Sequence, residues 1–310
     1  MTEAVAGLKW GVERRLEFIE FRLLWEGGVN RSDIINSFGV SVPQASKDLT
    51  LYQERAPGNV AYDKSAKRYI AADGFKPQFL NPDPDAFLSR LQAVVEGADW
   101  QRDSWISAAP DADVALTPKR DVDGDVLRAV LNAIRNQRSI EVMYQSMNPQ
   151  RPDPKWRRIT PHAFGYDGFR WHARAFCHLE ETFKDFLLPR ILKSRGEDEP
   201  GASGEADHFW HEYYPLEIAP HPALTSSQQE VVAKDYGMKG RKCVLRVRVA
   251  MLFYVMKRLG LLNDAVNEDP RRQHIVLLNE ADAKRVLALA NSGRIVEELR
   301  RGGRRPDDQA

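Results

Sequence analysis

At 310 residues, with 45 lysines and arginines against 44 aspartates and glutamates, the chain is long enough for two or three cores and too evenly charged to attract nucleic acid or membrane through its overall field. No apolar run approaches the roughly 20 residues that span a bilayer, and the start "MTEAVAGLKWGVERR" lacks the basic-then-apolar pattern of a secretory leader, so a soluble, cytoplasmic protein with no membrane partner is expected. Cys177 and Cys243 stand in apolar, strand-like contexts outside any C-x-x-C pair, which reads as two buried thiols and argues against a cysteine zinc site.

The segment "VERRLEFIEFRLLWEGG" puts Val12, Leu16, Ile19, Leu23 and Leu24 on one stripe of a helix that ends in glycines. A short helix from about Arg31 to Phe38, a turn at Gly39 and a second helix capped by Ser41 with Pro43 in its first turn follow. "NVAYDKSAKRYIA" reads as a hairpin. The prolines of "FKPQFLNPDPD" mark a boundary, after which "DAFLSRLQAVVEG" is a connecting helix and "SAAPDADVALTPKRDVDGD" an irregular connector. The amphipathic helix "DVLRAVLNAIRNQR" opens a β-rich region of "SIEVMYQSM", "RRITPHAFGYDGFRWHARAFC" and "ETFKDFLLPRILKS". "GEDEPGASGEAD" has the composition of a loop or disordered insertion. Beyond it the pattern gives a helical "SSQQEVVAKDYGM", a half-buried strand "KCVLRVRVA", a helix "MLFYVMKRLG", a strand "HIVLL" and a helix "EADAKRVLALANSG". The expected division is a head over 1–75, a helical linker over 76–120, a β-rich domain over 121–200, an α/β domain over 201–300 and a disordered tail over 301–310.

Two short helices joined at "SFGVS" and followed by a hairpin describe a winged helix-turn-helix, with Ile34, Phe38, Val40, Ala45 and Leu49 spaced to hold the helices together. Ser41, Gln44, Ser46 and Lys47 would face double-stranded DNA, glutamine being able to pair with adenine in the major groove. Lys64, Lys67 and Arg68 of the wing would reach phosphates. A helical protein-interaction domain is the plain alternative, since the local charge does not exclude it.

In "GFRWHARAFC" a period of two sets Trp171, Ala173, Ala175 and Cys177 on a core-like face, opposite His172, Arg174, Phe176 and His178. Two imidazoles and a guanidinium are costly to order unless something satisfies them. If the strands curl into a small barrel, Tyr144, Ser146, His172, Arg174, Phe186 and Arg190 converge as an aromatic and cationic pocket. Ten basic residues against six acidic ones between Ile140 and Arg195 suit an anionic, nucleotide-like ligand.

"SIEVMYQS", "RRITPHAFGYDGFRWHARAF" and "FKDFLLPRI" together resemble the WYL domain of bacterial transcriptional regulators, an Sm-like β-barrel, although the defining tripeptide is Trp171, His172, Ala173 and not Trp-Tyr-Leu. With the winged helix-turn-helix and an α/β C-terminal extension, the chain is similar to the BrxR and CapW group of repressors encoded beside anti-phage defence genes such as BREX and CBASS systems. The resemblance implies an α+β chain that forms a homodimer through its C-terminal part and binds an inverted-repeat operator. It also implies a domain that senses an anionic nucleotide or oligonucleotide through Tyr144, Ser146, His162, His172, Arg174, Phe186 and Arg190, His162 entering through the resemblance alone.

Enzyme readings find little support. The His-x-Glu and Pro-Cys-x-x-Cys of zinc deaminases are missing, as are the phosphate loops of NTPases and dinucleotide enzymes, so neither cofactor nor metal is expected. Cys177 and His172 would lie on opposite faces of their strand. His162, His172 and His178 lack metal-ligand spacing. A nucleic-acid-binding adaptor without promoter specificity and a metal-independent nuclease working through histidine are the remaining alternatives.

Overall fold

The first three helices are fixed by local chemistry at their ends. In the computed structural model, which describes residues 7–97, 105–115, 117–118 and 120–292, helix α1 (Trp10–Trp25) is followed by α2 (Arg31–Phe38) and α3 (Val42–Arg55). Asn30 caps α2: its side chain accepts from Asp33 N at 3.0 Å, and the Asp33 carboxylate accepts from Asn30 N at 2.7 Å. Gly39, at φ +63°, closes that helix in the left-handed conformation, which turns the chain sharply into α3. The hairpin of β1 (Val60–Asp63) and β2 (Arg68–Ala71) then forms the wing, and α4 (Pro84–Val95) follows.

Leu16, Ile19, Ile34, Ala45, Leu49 and Tyr52 make one core. The stretch read as a linker contributes to it: Phe79, Leu80 and Phe87 pack there, and Trp105 meets Phe18 and Phe21 edge-on at 5.7 and 5.5 Å. Glu20, fully buried on α1, ties this segment down by accepting from the backbone N–H groups of Gln78, Phe79 and Leu80 and from the Tyr52 hydroxyl. Burial pulls its carboxyl above the usual range, and these donors oppose the pull.

The chain divides into two compact units, 1–116 and 117–310. In the second, α5 (Gly124–Asn136) lays Val126, Val130 and Ala133 on a sheet of β3 (Ser139–Tyr144), β4 (Lys155–Tyr166), β5 (Trp171–Cys177), β6 (Thr182–Leu187) and β7 (Ile191–Asp198). The order is β6-β5-β4-β3-β7, antiparallel throughout. Where a small barrel is expected the structure has this five-stranded sheet, and among the described residues no ladder joins its edge strands β6 and β7.

"GEDEPGASGEAD" is an ordered strap. It finishes β7, passes through a 3-10 turn at Gly204–Ala206 and delivers Asp207 into the interior, 1% exposed. Then come α6 (His208–His211), β8 (Tyr213–Pro220), α7 (Ser226–Asp235), β9 (Cys243–Arg248), α8 (Leu252–Arg258), β10 (Ile275–Leu277) and α9 (Glu280–Ser292). The three strands pair in the order β10-β8-β9 over a core that includes Leu216, Ile218, Leu252, Met256 and Val286. Only one of the two expected buried thiols is sealed: Cys177 is fully buried, whereas Cys243 opens the edge strand β9 and is half-buried. The tail over 301–310 lies outside the described residues.

Candidate nucleic-acid interface and sensor groove

The start of α3 and the wing carry the residues expected to meet DNA, with two departures. Ser41 is exposed, and its hydroxyl accepts from Gln44 N at 3.4 Å. Gln44 turns inward: its amide donates to Asp48 at 2.9 Å, and Asp48 in turn holds the Arg15 guanidinium at 2.6 and 3.1 Å. Ser46 is half-buried, while Lys47, Lys64 and Lys67 are exposed and without ion pairs among the described residues. At the wing tip Asp63 accepts from Ser65 N, the Ser65 hydroxyl and Ala66 N, which shapes the turn and lowers its own pKa.

Arg68 is the second departure. Its guanidinium donates to the carbonyls of Gly28 and, at 3.3 Å, Glu26, beside a bridge between Val29 and Tyr69, so it fastens the wing to the end of α1. Gly28, at φ +151°, allows that close approach, since a Cβ there would meet Tyr69 O and the guanidinium. A concavity of about 340 Å³ lies between α2, α3 and the wing, and among its lining residues are Arg31, Ser46, Thr50, Tyr62 and Lys67. Thr50, one helical turn past Ser46, was within reach of the period of 3.6; Tyr62 depends on the hairpin register.

In the second unit, β5 alternates as its sequence requires. Ala173, Ala175 and Cys177 enter the core, and His172 and Arg174 lie on the opposite face at 5% and 6% exposure. Trp171 is the exception on the core side: it stands at the strand's open end, half exposed and tilted against the Tyr166 ring at 4.9 Å. The groups that satisfy the polar face are carboxylates. Arg174 makes a fork with Asp207 at 2.7 and 3.1 Å and reaches Asp185 at 3.2 Å. His162 meets the same Asp207 at 3.0 Å, and Tyr254 of α8 donates to Asp185 at 3.0 Å. His172 lies 3.0 Å from Asp167, whose carboxylate also accepts from the backbone N–H groups of Phe169 and Arg170 in the β4–β5 turn. His172 and Arg174 therefore belong to a buried ionic layer between the sheet and the C-terminal elements, while His162, half-buried at its rim, also lines a separate cavity of about 500 Å³ with Thr160, Ser203 and Trp210.

Burial pushes the Asp207 and Asp167 carboxyls up, but their imidazole, guanidinium and N–H partners outweigh it and hold both below the usual value of 3.8. A depressed folded-state pKa stabilises above the unfolded value and is lost as pH falls through the folded one. The urea midpoint of the protein is thus expected to drop below about pH 4, with a shallower drop in Asp167→Asn. Equal midpoints at pH 3 and pH 7 would refute the ionic layer.

The remaining expected residues divide differently. Tyr144, Ser146 and Phe186 line a groove of about 300 Å³, with Phe186 at its floor, edge-on to Tyr144 at 5.1 Å. Arg190 lies on the 3-10 turn before β7, its carbonyl accepting from Gln145 N at 3.0 Å, and its side chain is not among those lining the groove. Sequence reasoning missed the groove's charged wall of Arg151, Arg157, Glu180 and Lys184. Lys184 shares strand parity with Phe186, which was a usable signal; Arg151 and Glu180 come from loops, which carry none. Lys184, then Arg151 and Arg157, bring the Glu180 carboxyl down to about 2. Among the described residues no group of histidine, cysteine, aspartate and glutamate is placed to hold a metal, and no helix is long and apolar enough to cross a membrane.

Three family profiles match the chain: the BrxR transcriptional regulator winged helix-turn-helix domain over residues 11–93, the WYL domain over 125–195, and the BrxR transcriptional regulator C-terminal dimerization domain over 213–283. Among curated proteins, the DNA-binding transcriptional repressor CapW of Stenotrophomonas maltophilia is 38% identical over 296 residues, covering 95% of this chain and 97% of the relative. CapW of Pseudomonas aeruginosa is 37% identical over 282 residues, covering 90% and 92%. CapW of Escherichia coli is 36% identical over 278 residues, covering 88% and 91%.

Proposed function

Because this chain belongs to the CapW family of DNA-binding transcriptional repressors, with a winged helix-turn-helix, a WYL domain and a dimerization domain, we propose that it acts as a cytoplasmic homodimer on an inverted-repeat operator of a phage-defence operon and that an anionic nucleotide or oligonucleotide in the groove controls it. The observation that carries the DNA half is the pattern of charge on α3 and the wing. Lys47, Lys64 and Lys67 project without ion-pair partners among the described residues, while Arg15 and Arg68 nearby are engaged inside the fold. Free cations on a helix and wing suit phosphates, and exposed Ser41 and Thr50 beside them suit base edges. Gln44 joins the contact only by releasing Asp48.

A two-fold dimer sets its two recognition helices about 34 Å apart, in successive major grooves, so a palindromic site is expected. Purified protein is expected to shift the DNA upstream of its own gene at concentrations at least about 10³-fold below those that shift random duplex at the same salt. Equal affinity for both would replace the repressor reading with a nucleic-acid-binding adaptor. A histidine nuclease is disfavoured, since His162 and His172 are each committed to a buried carboxylate.

For the sensing half, Asp185 supports the reading. It lines the groove and also receives Arg174, whose fork reaches Asp207 on the strap leading into the C-terminal elements. A ligand that prefers one arrangement of that chain of ion pairs shifts the population toward it.

A further inference from the structure

Three cations from three different places converge in the groove on a single carboxylate. Arg151, in the loop after β3, lies 2.8 Å from Glu180; Arg157, on β4, lies 3.0 Å from the same oxygen; Lys184, on β6, binds the other oxygen. The second acid of the groove is not available to them, since Asp185 is held by Arg174 and Tyr254. Three cations facing one carboxylate leave an excess of two positive charges. The Arg157 side chain is 6% exposed, and its Nε–H is buried with no partner among the described residues. A two-oxygen carboxylate thus leaves a donor of this site unmet.

Glu180 is also poorly fixed by the backbone. It sits in the β5–β6 turn beside Leu179, which is 64% exposed, and before Glu181, which has φ +48°. Its own N–H bonds to Cys177 O at 3.2 Å within that turn, so its side chain can rotate away without breaking a ladder bond.

We propose that Glu180 is an internal stand-in for a phosphoryl group, occupying an anion subsite built by Arg151, Arg157 and Lys184 until a ligand phosphate displaces it. This rests on the reading of the groove as the sensor. A phosphate monoester offers three terminal oxygens where the carboxylate offers two, so it can meet Arg157 through a fork and still serve Arg151 and Lys184. Once Glu180 has turned out to solvent, the monoester's two negative charges face the three cations, one more negative charge than the carboxylate supplied. Glu180 thereby sets a threshold, because weak or singly charged anions fail to compete with a carboxylate already in place.

The test is calorimetric titration of the full chain at fixed ionic strength with three probes: a thymidine dinucleotide carrying a 5′-phosphate, the same dinucleotide without it, and inorganic phosphate. Glu180→Gln is expected to bind the 5′-phosphorylated probe at least tenfold tighter than wild type and to leave the unphosphorylated probe within about twofold. Inorganic phosphate tightening in parallel supports the phosphoryl group as the anchor; tightening confined to the dinucleotide assigns the anchor to a nucleotide. Glu181→Gln, which removes an exposed neighbouring charge, is expected to behave as wild type, and Glu180→Ala repeats the measurement should the glutamine variant fold poorly. The stand-in is overturned if Glu180→Gln gains nothing while Arg157→Gln abolishes binding, an outcome that leaves the sensor groove intact. It is likewise overturned if Glu181→Gln tightens binding equally. If no probe binds any variant and Arg157→Gln leaves induction in cells unchanged, the sensor reading falls, and the stand-in with it.

Discussion

Arg174→Ala is expected to lower the unfolding free energy by about 3–5 kcal/mol, the range for breaking a buried ion pair from one side, and to lower the thermal midpoint by on the order of 10 °C. The reason is what remains. Asp207, 1% exposed, loses a two-pronged guanidinium and keeps His162 and the Trp210 N–H; Asp185 keeps only the Tyr254 hydroxyl from this layer. Thermal or urea melts of the full chain measure it, and a loss under about 1 kcal/mol would mean that the layer is hydrated. Pairing Arg174→Ala with Asp207→Ala should cost less than the two changes added, because the second removes the charge the first leaves unmatched. This bears on function: failure of induction in an Arg174 variant speaks for sensing only at a temperature where the variant is folded.

A variant with Lys47→Ala, Lys64→Ala and Lys67→Ala is expected to lose about 10²–10³-fold in operator affinity per head at 0.1 M salt, and the slope of log affinity against log salt is expected to become shallower by about 3 per head, roughly 5 for the homodimer. The three ammonium groups are exposed, unpaired among the described residues and outside the core of the head, so the melting temperature should not change. Fluorescence anisotropy across a salt series measures both quantities. If the slope is unchanged, these lysines do not touch phosphate and the DNA-facing surface lies elsewhere on the head. Arg68→Ala makes a useful contrast, since it should weaken DNA binding by loosening the wing, with a fall in stability that the lysine variant lacks.

Local signals in the sequence were enough for the elements that place the DNA-facing surface. Gly39 and Ser41 mark the turn and the cap, and the period of 3.6 sets Ala45 and Leu49 inward with Lys47 outward. The same rule could not see that Gln44 turns to Asp48, because that depends on Arg15 arriving from another helix 33 residues from Asp48 in sequence. Nor could hairpin chemistry reveal that Arg68 would be engaged by the end of α1.

The β5 strand divides the two kinds of knowledge most clearly. Its alternation, and so the separation of His172 and Arg174 from Ala173, Ala175 and Cys177, was determined by the amino-acid order, because a pleated strand sends neighbours to opposite sides. What meets the polar side was decided by tertiary structure. Asp207 arrives on a strap whose composition reads as disorder, and Asp167, Asp185 and Tyr254 come from a turn, an edge strand and a distant helix. For the same reason the expected single pocket separated into a buried ionic layer and a groove with its own cations. Periodicity fixes which face a side chain takes, whereas the partner on that face is chosen by long-range packing, since a buried charge must find its counter-charge wherever the fold brings one.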